Sequence, residues 1–190
     1  VRFVPLALLL VVAEGHAAAT DDYLNALRAL GRGDRERAAY LLEQAATVGL
    51  VDAQLRLGDL LPGQPGERWL RAAARQGSRP AAERLAQRYY DDGAYRRAAQ
   101  CWLRAAEQGS GGAQARLGAL QVVGHGLPRD RVQAFAWLNL AASTGDAEAT
   151  ALRDTLGGQL SAAQREAGEA LSRALVDRPP RLPGEPPCGE

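Results

Sequence analysis

Residues Gly124–Ala149 read GHGLPRDRVQAFAWLNLAASTGDAEA, and the spacing inside this stretch decides the fold. A Gly124-His125-Gly126 turn and a Leu127-Pro128 step open it. Ala134, Trp137 and the Ala141-Ala142 pair then recur at helical intervals, which puts them on one helix face. Gly145 is a helix stop, and a second helix is expected from about Asp146. Alanine at the crossing points lets a neighbouring helix come close, while Trp137 fills the gap between turns. The stretch is one helix-turn-helix unit.

Partial copies of this unit fill the chain upstream. Ala-Ala, two residues, Gly, then Ala four residues later occurs as Ala45-Ala46/Gly49/Ala53, Ala73-Ala74/Gly77/Ala81, Ala105-Ala106/Gly109/Ala113 and Ala141-Ala142/Gly145/Ala149. Trp69, Trp102 and Trp137 stand on the preceding turns, where the first copy has Leu41-Leu42. Leu57-Gly58, Leu85-Ala86 and Leu117-Gly118 follow in three copies. Successive anchors are 28, 32 and 36 residues apart, the period of helical solenoids. The variation falls before each Trp, in surface loops such as the one containing Pro62-Gly63 and Pro65-Gly66.

The segment AQARLGALQVVGHGLPRDRVQAFAWLNLAASTG, Ala113 to Gly145, resembles the unit of the Sel-one-like repeat family, relatives of the tetratricopeptide repeats. That unit runs A-x-A-x-x-L-G, a Gly-x-Gly turn, then A-x-x-W-x-x-x-A-A-x-x-G. The resemblance covers about Asp34 to Leu156; the turns after Gly58 and Ala86 lack the Gly-x-Gly step and the first unit lacks Trp. It implies an all-α fold, an α/α solenoid wound as a right-handed superhelix of about four repeats. It also implies a scaffold or adaptor for a protein or peptide partner, as bacterial relatives serve envelope assembly, secretion or signalling complexes. An accessory role in polysaccharide export is the neighbouring possibility. A cell-wall or β-lactam hydrolase is the rival, against which stand the missing Cys pair per repeat and the absence of Lys.

The resulting division is a signal peptide at 1–19, an N-terminal capping helix at 20–33, repeats at 34–156, a C-terminal capping helix at 157–177 and a disordered Pro-rich tail at 178–190. Arg2, the short apolar run Phe3–Ala13 and the small residues Ala17-Ala18-Ala19 carry the first of these. The expected cut follows Ala19, or nearby Ala17 or Ala18, and makes the mature chain periplasmic or secreted; a buried first helix is the alternative. The run is shorter than the roughly 20 residues of a membrane span, and no Cys marks a lipid anchor at the cut. All 23 basic residues are Arg, with Lys, Ile and Met absent. This bias implies a GC-rich, bacterial genome, in which Val1 reads either as an alternative start or as the first residue of a trimmed chain. Asp21–Leu30 before Gly31, and Ser161–Val176 with Ser161 as N-cap, are the expected flanking helices, whose polar faces solenoid ends require.

A net charge of +1 makes no case for nucleic acid or an anionic membrane. No phosphate loop, G-x-S-x-G or H-E-x-x-H motif is present, so no catalytic residue, metal ligand or cofactor is assigned. His125 is read as part of a turn, Asp91-Asp92-Gly93 as a helix stop, and Asp130 as a helix cap. Cys101 and Cys188 are read as a packed small residue and a tail thiol, with pairing as the alternative. The three Trp are read as packing between units, and Tyr89-Tyr90 as at least half core. The candidate partner-binding residues are Arg56, Arg84 and Arg116, each one residue before the repeat Leu. Stacking would align them into a ladder of carboxylate-binding guanidinium groups, with Gln54, Glu83 and Gln114 varying alongside.

Overall fold

Each Ala-Ala-x-x-Gly segment ends a helix at a left-handed glycine. Gly49, Gly77, Gly109 and Gly145 have φ of 100°, 90°, 78° and 88°, a left-handed conformation that a Cβ would strain. Their amides bond back to the second alanine: Gly49 to the Ala46 carbonyl at 3.0 Å and Gly77 to Ala74 at 2.9 Å. The next amide reaches the first alanine, Leu50 to Ala45 at 3.2 Å and Ser78 to Ala73 at 3.0 Å. This is the Schellman cap. It explains why the Gly keeps its place after the Ala pair.

The computed structural model describes residues 6–177 and 188–189, with side chains at 15–176 and 188–189. These residues form ten helices and no strand, an all-α fold of the α/α solenoid class. Two units divide the chain, Val1–Ser78 and Arg79–Glu190. The first holds α1 (Leu6–Gly31), α2 (Arg35–Thr47), α3 (Val51–Leu60) and α4 (Gly63–Arg75). The second holds α5 (Arg79–Asp91), α6 (Tyr95–Glu107), α7 (Gly111–Val123), α8 (Arg131–Ser143), α9 (Ala147–Gly157) and α10 (Ala162–Asp177).

In the N-terminal unit α1 packs on α2, α2 on α3 and α3 on α4. Its core joins Leu41, Leu42, Leu57 and Ala45 to Ala19 and Ala26 of α1, with Tyr23 and Trp69 against the edge. Residues 1–5 of the expected leader lie outside the described residues. From Leu6, α1 continues through the expected cut, and Ala19 is buried in the core. No helix among the described residues is long and apolar enough to cross a membrane. The Pro62–Gly66 segment is not the loop that its composition suggests. Helix α4 starts at Gly63, and Pro65 is tolerated because first-turn amides have no intrahelical partner.

A glutamine pair closes the seam between the first two repeats. Gln54 Nε2 donates to the Ala46 carbonyl at 3.1 Å. Gln76 Nε2 donates to Gln54 Oε1 at 2.8 Å and to the Gly49 carbonyl at 3.2 Å. The carbonyls exposed at the end of α2 are thereby satisfied.

In the C-terminal unit each helix from α5 to α8 packs on the next, and α10 returns onto α8. Phe135 of α8 is buried between Gly157 and Gly168, where a Cβ would stand 3.0 Å and 2.7 Å from its ring. Asp130 and Asp146 accept from the amides of Gln133 and Ala149 at 2.9 and 2.8 Å, capping α8 and α9. Ser161 and Gln164 form a reciprocal capping box at the start of α10. Of the expected tail, 178–187 and 190 lie outside the described residues, while Cys188 and Gly189 are buried.

The repeat Gly admits the partner helix. A Cβ on Gly58 would lie 2.6 Å from Leu70 Cγ, and one on Gly118 would lie 2.7 Å from Leu138 Cγ and 3.1 Å from the Ala134 carbonyl. Gly118→Ala should therefore destabilise the fold by about 1–3 kcal/mol in urea denaturation. Gly112→Ala meets nothing within 4 Å and should be neutral or stabilising by up to about 1 kcal/mol. Equal effects of the two would remove close helix approach as the reason for the repeat Gly.

Candidate functional site

Arg56, Arg84 and Arg116 occupy one repeat position, on α3, α5 and α7, and all three are exposed. The leucine following each, Leu57, Leu85 or Leu117, is fully buried. That contrast fixes the orientation of the arginine, since neighbouring residues on a helix point about 100° apart. Arg84 and Arg116 line one groove of the C-terminal unit, about 560 Å³ in volume, between α5 and α7. Pro80, Glu83 and Gln87 complete the α5 wall, and Ser110 and Ala113 lie on the α7 side. Spacings of three and four on each helix put these residues on facing stripes. Arg56 belongs to the N-terminal unit and is not among the residues of this groove.

Trp102 lines the same groove, and it does so because the repeat is altered here. Trp69 and Trp137 stand four residues before their Ala pairs, but Trp102 stands three before Ala105. Cys101 takes the tryptophan position, and Trp102 takes the next one, held elsewhere by Leu42, Leu70 and Leu138. Those three leucines are fully buried. An indole is larger than a leucine side chain, and from this slot it reaches both the α5–α7 groove and a smaller cavity of about 70 Å³. Tyr90, Arg116, Leu120 and His125 line the smaller cavity.

An aromatic row runs from Trp102 along this side. The Tyr90 ring lies 5.5 Å from Trp102 and 5.2 Å, edge-on, from Tyr95. His125 stacks on Tyr95 at 4.6 Å and 17°. The turn holding His125 is tight against α6: a Cβ on Gly126, whose φ is 69°, would stand 2.5 Å from the Arg96 nitrogen. His125 thus belongs to the turn and its stacking partner. Tyr89 is buried and Tyr90 half-buried. Trp102 and Trp137 are buried, and Trp69 is half-buried against the N-terminal core.

Two readings of the sequence need correction. Cys101 and Cys188 are not separate thiols: they form a disulfide, with Cα atoms 4.7 Å apart. Cys101 is small enough, in a slot sized for Trp, to receive a second sulfur. Gln54 and Gln114 are not a recognition surface beside the arginines, since both are over nine-tenths buried. Their amides serve the ends of α2 and α6. Glu83 does line the groove. The one-residue displacement of Trp102 goes beyond the reading of the three Trp as equivalent, although its spacing to Ala105 carries the signal.

Chemically, the groove is lined by two guanidinium groups, one carboxylate and a small part of the buried Trp102 indole. Arg116 makes no ion pair among the described residues. No cluster of three or more His, Cys, Asp or Glu suited to a metal ion occurs among the described residues.

A family model described as Sel1 repeat matches residues 23–50, 51–78, 79–110 and 112–146, well over half of the chain. The chain belongs to the Sel1 repeat family. Its repeats thus pair α1 with α2, α3 with α4, α5 with α6 and α7 with α8. Among solved structures it is similar to c5321, described as a protective antigen of uropathogenic Escherichia coli strains displaying an SLR fold. That likeness has a TM-score of 0.69 and 29% identity, over 84% of this chain and 38% of the other. A Sel1 repeat protein from Oxalobacter formigenes matches with a TM-score of 0.63 and 25% identity, over 71% of this chain and 62% of its own. The chain therefore spans less than two thirds of either relative. No curated protein matches it. Sel1 repeats often act as protein-interaction scaffolds.

The disulfide closes a segment of 87 residues, which removes on the order of 4 kcal/mol of chain entropy from the unfolded state. Cys188→Ser should lower stability by about 2–4 kcal/mol in urea denaturation without reductant, and dithiothreitol should reproduce the loss in the parent. Unchanged stability in both would mean that the bond does not contribute.

Proposed function

We propose that this chain is an exported, non-catalytic binding module that holds a protein or peptide segment in the α5–α7 groove, within a bacterial envelope complex. The observation that carries this reading is the convergence of Arg84, Arg116 and Trp102 on one groove. Guanidinium forks pair with carboxylates through two parallel hydrogen bonds. The buried Trp102 forms part of the groove wall beside them, and Arg is among the side chains most often found at the energetic centre of interfaces. Packed helix pairs present these groups already positioned, which limits the ordering cost of binding. The occupant best matched is an extended segment with an acidic side chain next to an apolar one.

Export draws on the leader-like residues Arg2 to Ala19. The Cys101–Cys188 bond supports it independently, because such bonds persist in oxidising compartments and are rare in the cytosol. The non-catalytic reading rests on the family and on a sequence without Lys or a nucleophile motif.

Crosslinking pull-down from bacterial envelope extract tests the groove. An Arg84→Ala/Arg116→Ala chain, confirmed folded by circular dichroism, should retain a partner roughly tenfold less well than the parent. Arg56→Ala should be closer to the parent. A partner held equally by all three would sink the groove reading. Export is tested separately by sequencing the N-terminus of the chain recovered from the periplasm or medium. Thr20 is expected there, and a chain found only in the cytosol with residues 1–19 intact would overturn export.

A further inference from the structure

Helix α7 carries one continuous stripe past two cavities. Ala113, Arg116, Leu120 and Val123 follow at intervals of three and four, and so share one helix face. The first half of the stripe, Ala113 and Arg116, lines the α5–α7 groove. The second half, Leu120 and Val123, lines the adjoining cavity of about 70 Å³ together with Ala119. Arg116 is the α7 residue that lines both.

The two halves differ in chemistry. Arg116 is exposed and makes no ion pair among the described residues. The small cavity is walled by Leu120, the half-buried Tyr90 and the buried Trp102, and none of its lining residues is acidic. Its rim carries Val123, a large apolar side chain left 49% exposed, and the exposed His125. Covering such a rim with an apolar group is favourable. The wall at His125 is held in place by its stacking on Tyr95 and by the tight contact of Gly126 with α6. A hollow of roughly 150 Å³ holds a benzene ring, and the space here is about 70 Å³. A branched aliphatic side chain therefore fits where an aromatic ring does not.

The helix also sets a spacing. From Arg116 to Leu120 it rises about 6 Å, at about 1.5 Å per residue. In an extended segment, neighbouring side chains point to opposite sides, whereas those two positions apart share a side and stand about 6.6 Å apart. A segment laid along α7 thus meets both halves of the stripe with residues i and i+2.

We propose that the small cavity is a specificity subsite for a branched aliphatic side chain, Val, Leu or Ile, placed two positions from the carboxylate that Arg116 binds. The proposal deepens the groove reading and rests on it.

The test is fluorescence polarisation of the full chain with fluorescein-labelled Ser/Gly peptides carrying Glu-Ser-Leu, Leu-Ser-Glu, Glu-Leu or Glu-Ser-Ser-Leu. One of the two orders with a single intervening Ser should bind saturably, and at least roughly tenfold more tightly than the adjacent or wider spacing. Replacing its Leu by Ser or by Phe should cost a similar factor. Ala119→Leu, which fills the cavity, should remove the preference for Leu over Ser. Val123→Gln, at an exposed position, should reduce that preference severalfold. Arg84→Ala/Arg116→Ala reports on the groove itself. If that chain loses the peptide while spacing, Phe and both cavity variants change nothing, the subsite falls and the groove reading stands. If it binds the peptide as the parent does, both fall. Absence of saturation by every peptide up to about 1 mM overturns the subsite, and the envelope pull-down then decides the groove.

Discussion

Close approach of paired helices at a residue without a side chain is the constraint on which the fold depends. The backbone of Gly58 lies against Leu70 and that of Gly118 against Leu138, at distances that leave no room for a Cβ. Each leucine is fully buried there, a contribution of about 1.5–3 kcal/mol. The Gly that follows each Ala pair turns the chain into the next helix through a left-handed cap. With so few bulky side chains available, helix spacing rather than side-chain volume builds this core. Ala and Leu suffice for that.

The third repeat departs from this plan, and the departure generates both covalent and binding features. Moving Trp by one position rotates it about 100° around α6. It leaves the slot used by Trp69 and Trp137 and enters the one used by leucine. The vacated slot holds Cys101, joined to Cys188 from the far end of the chain. The indole meanwhile meets Tyr90 and lines the groove between α5 and α7. A single shift in sequence thus produces a covalent tie on one side of α6 and an aromatic wall on the other.

The seams between repeats show the same economy. An amide on the C-terminal turn of α4 satisfies the buried Gln54, but a threonine in the matching place on α8 leaves the Gln114 acceptor without a partner. Repeats are alike in backbone because caps and close contacts constrain them. They are free to differ where a side chain only bridges a seam, and there individual chemistry enters.

The helical class, the repeat period, the Gly stops, the caps at Asp130 and Ser161, the helix start near Asp146 and the exposed arginine position were all legible in the sequence. Each depends on residues within one or two turns, where spacing translates directly into geometry. The helical start at Gly63 was not legible, because Pro and Gly signal a loop as strongly as they signal a first turn. Nor was the pairing of Cys101 with Cys188, whose separation of 87 residues carries no local pattern. Tertiary structure alone decided that Arg84 and Arg116 share a groove with Trp102, and that Gln54 and Gln114 face inward. Those outcomes depend on which faces of different helices meet. Local periodicity says that a face exists, but only packing says what lies opposite it.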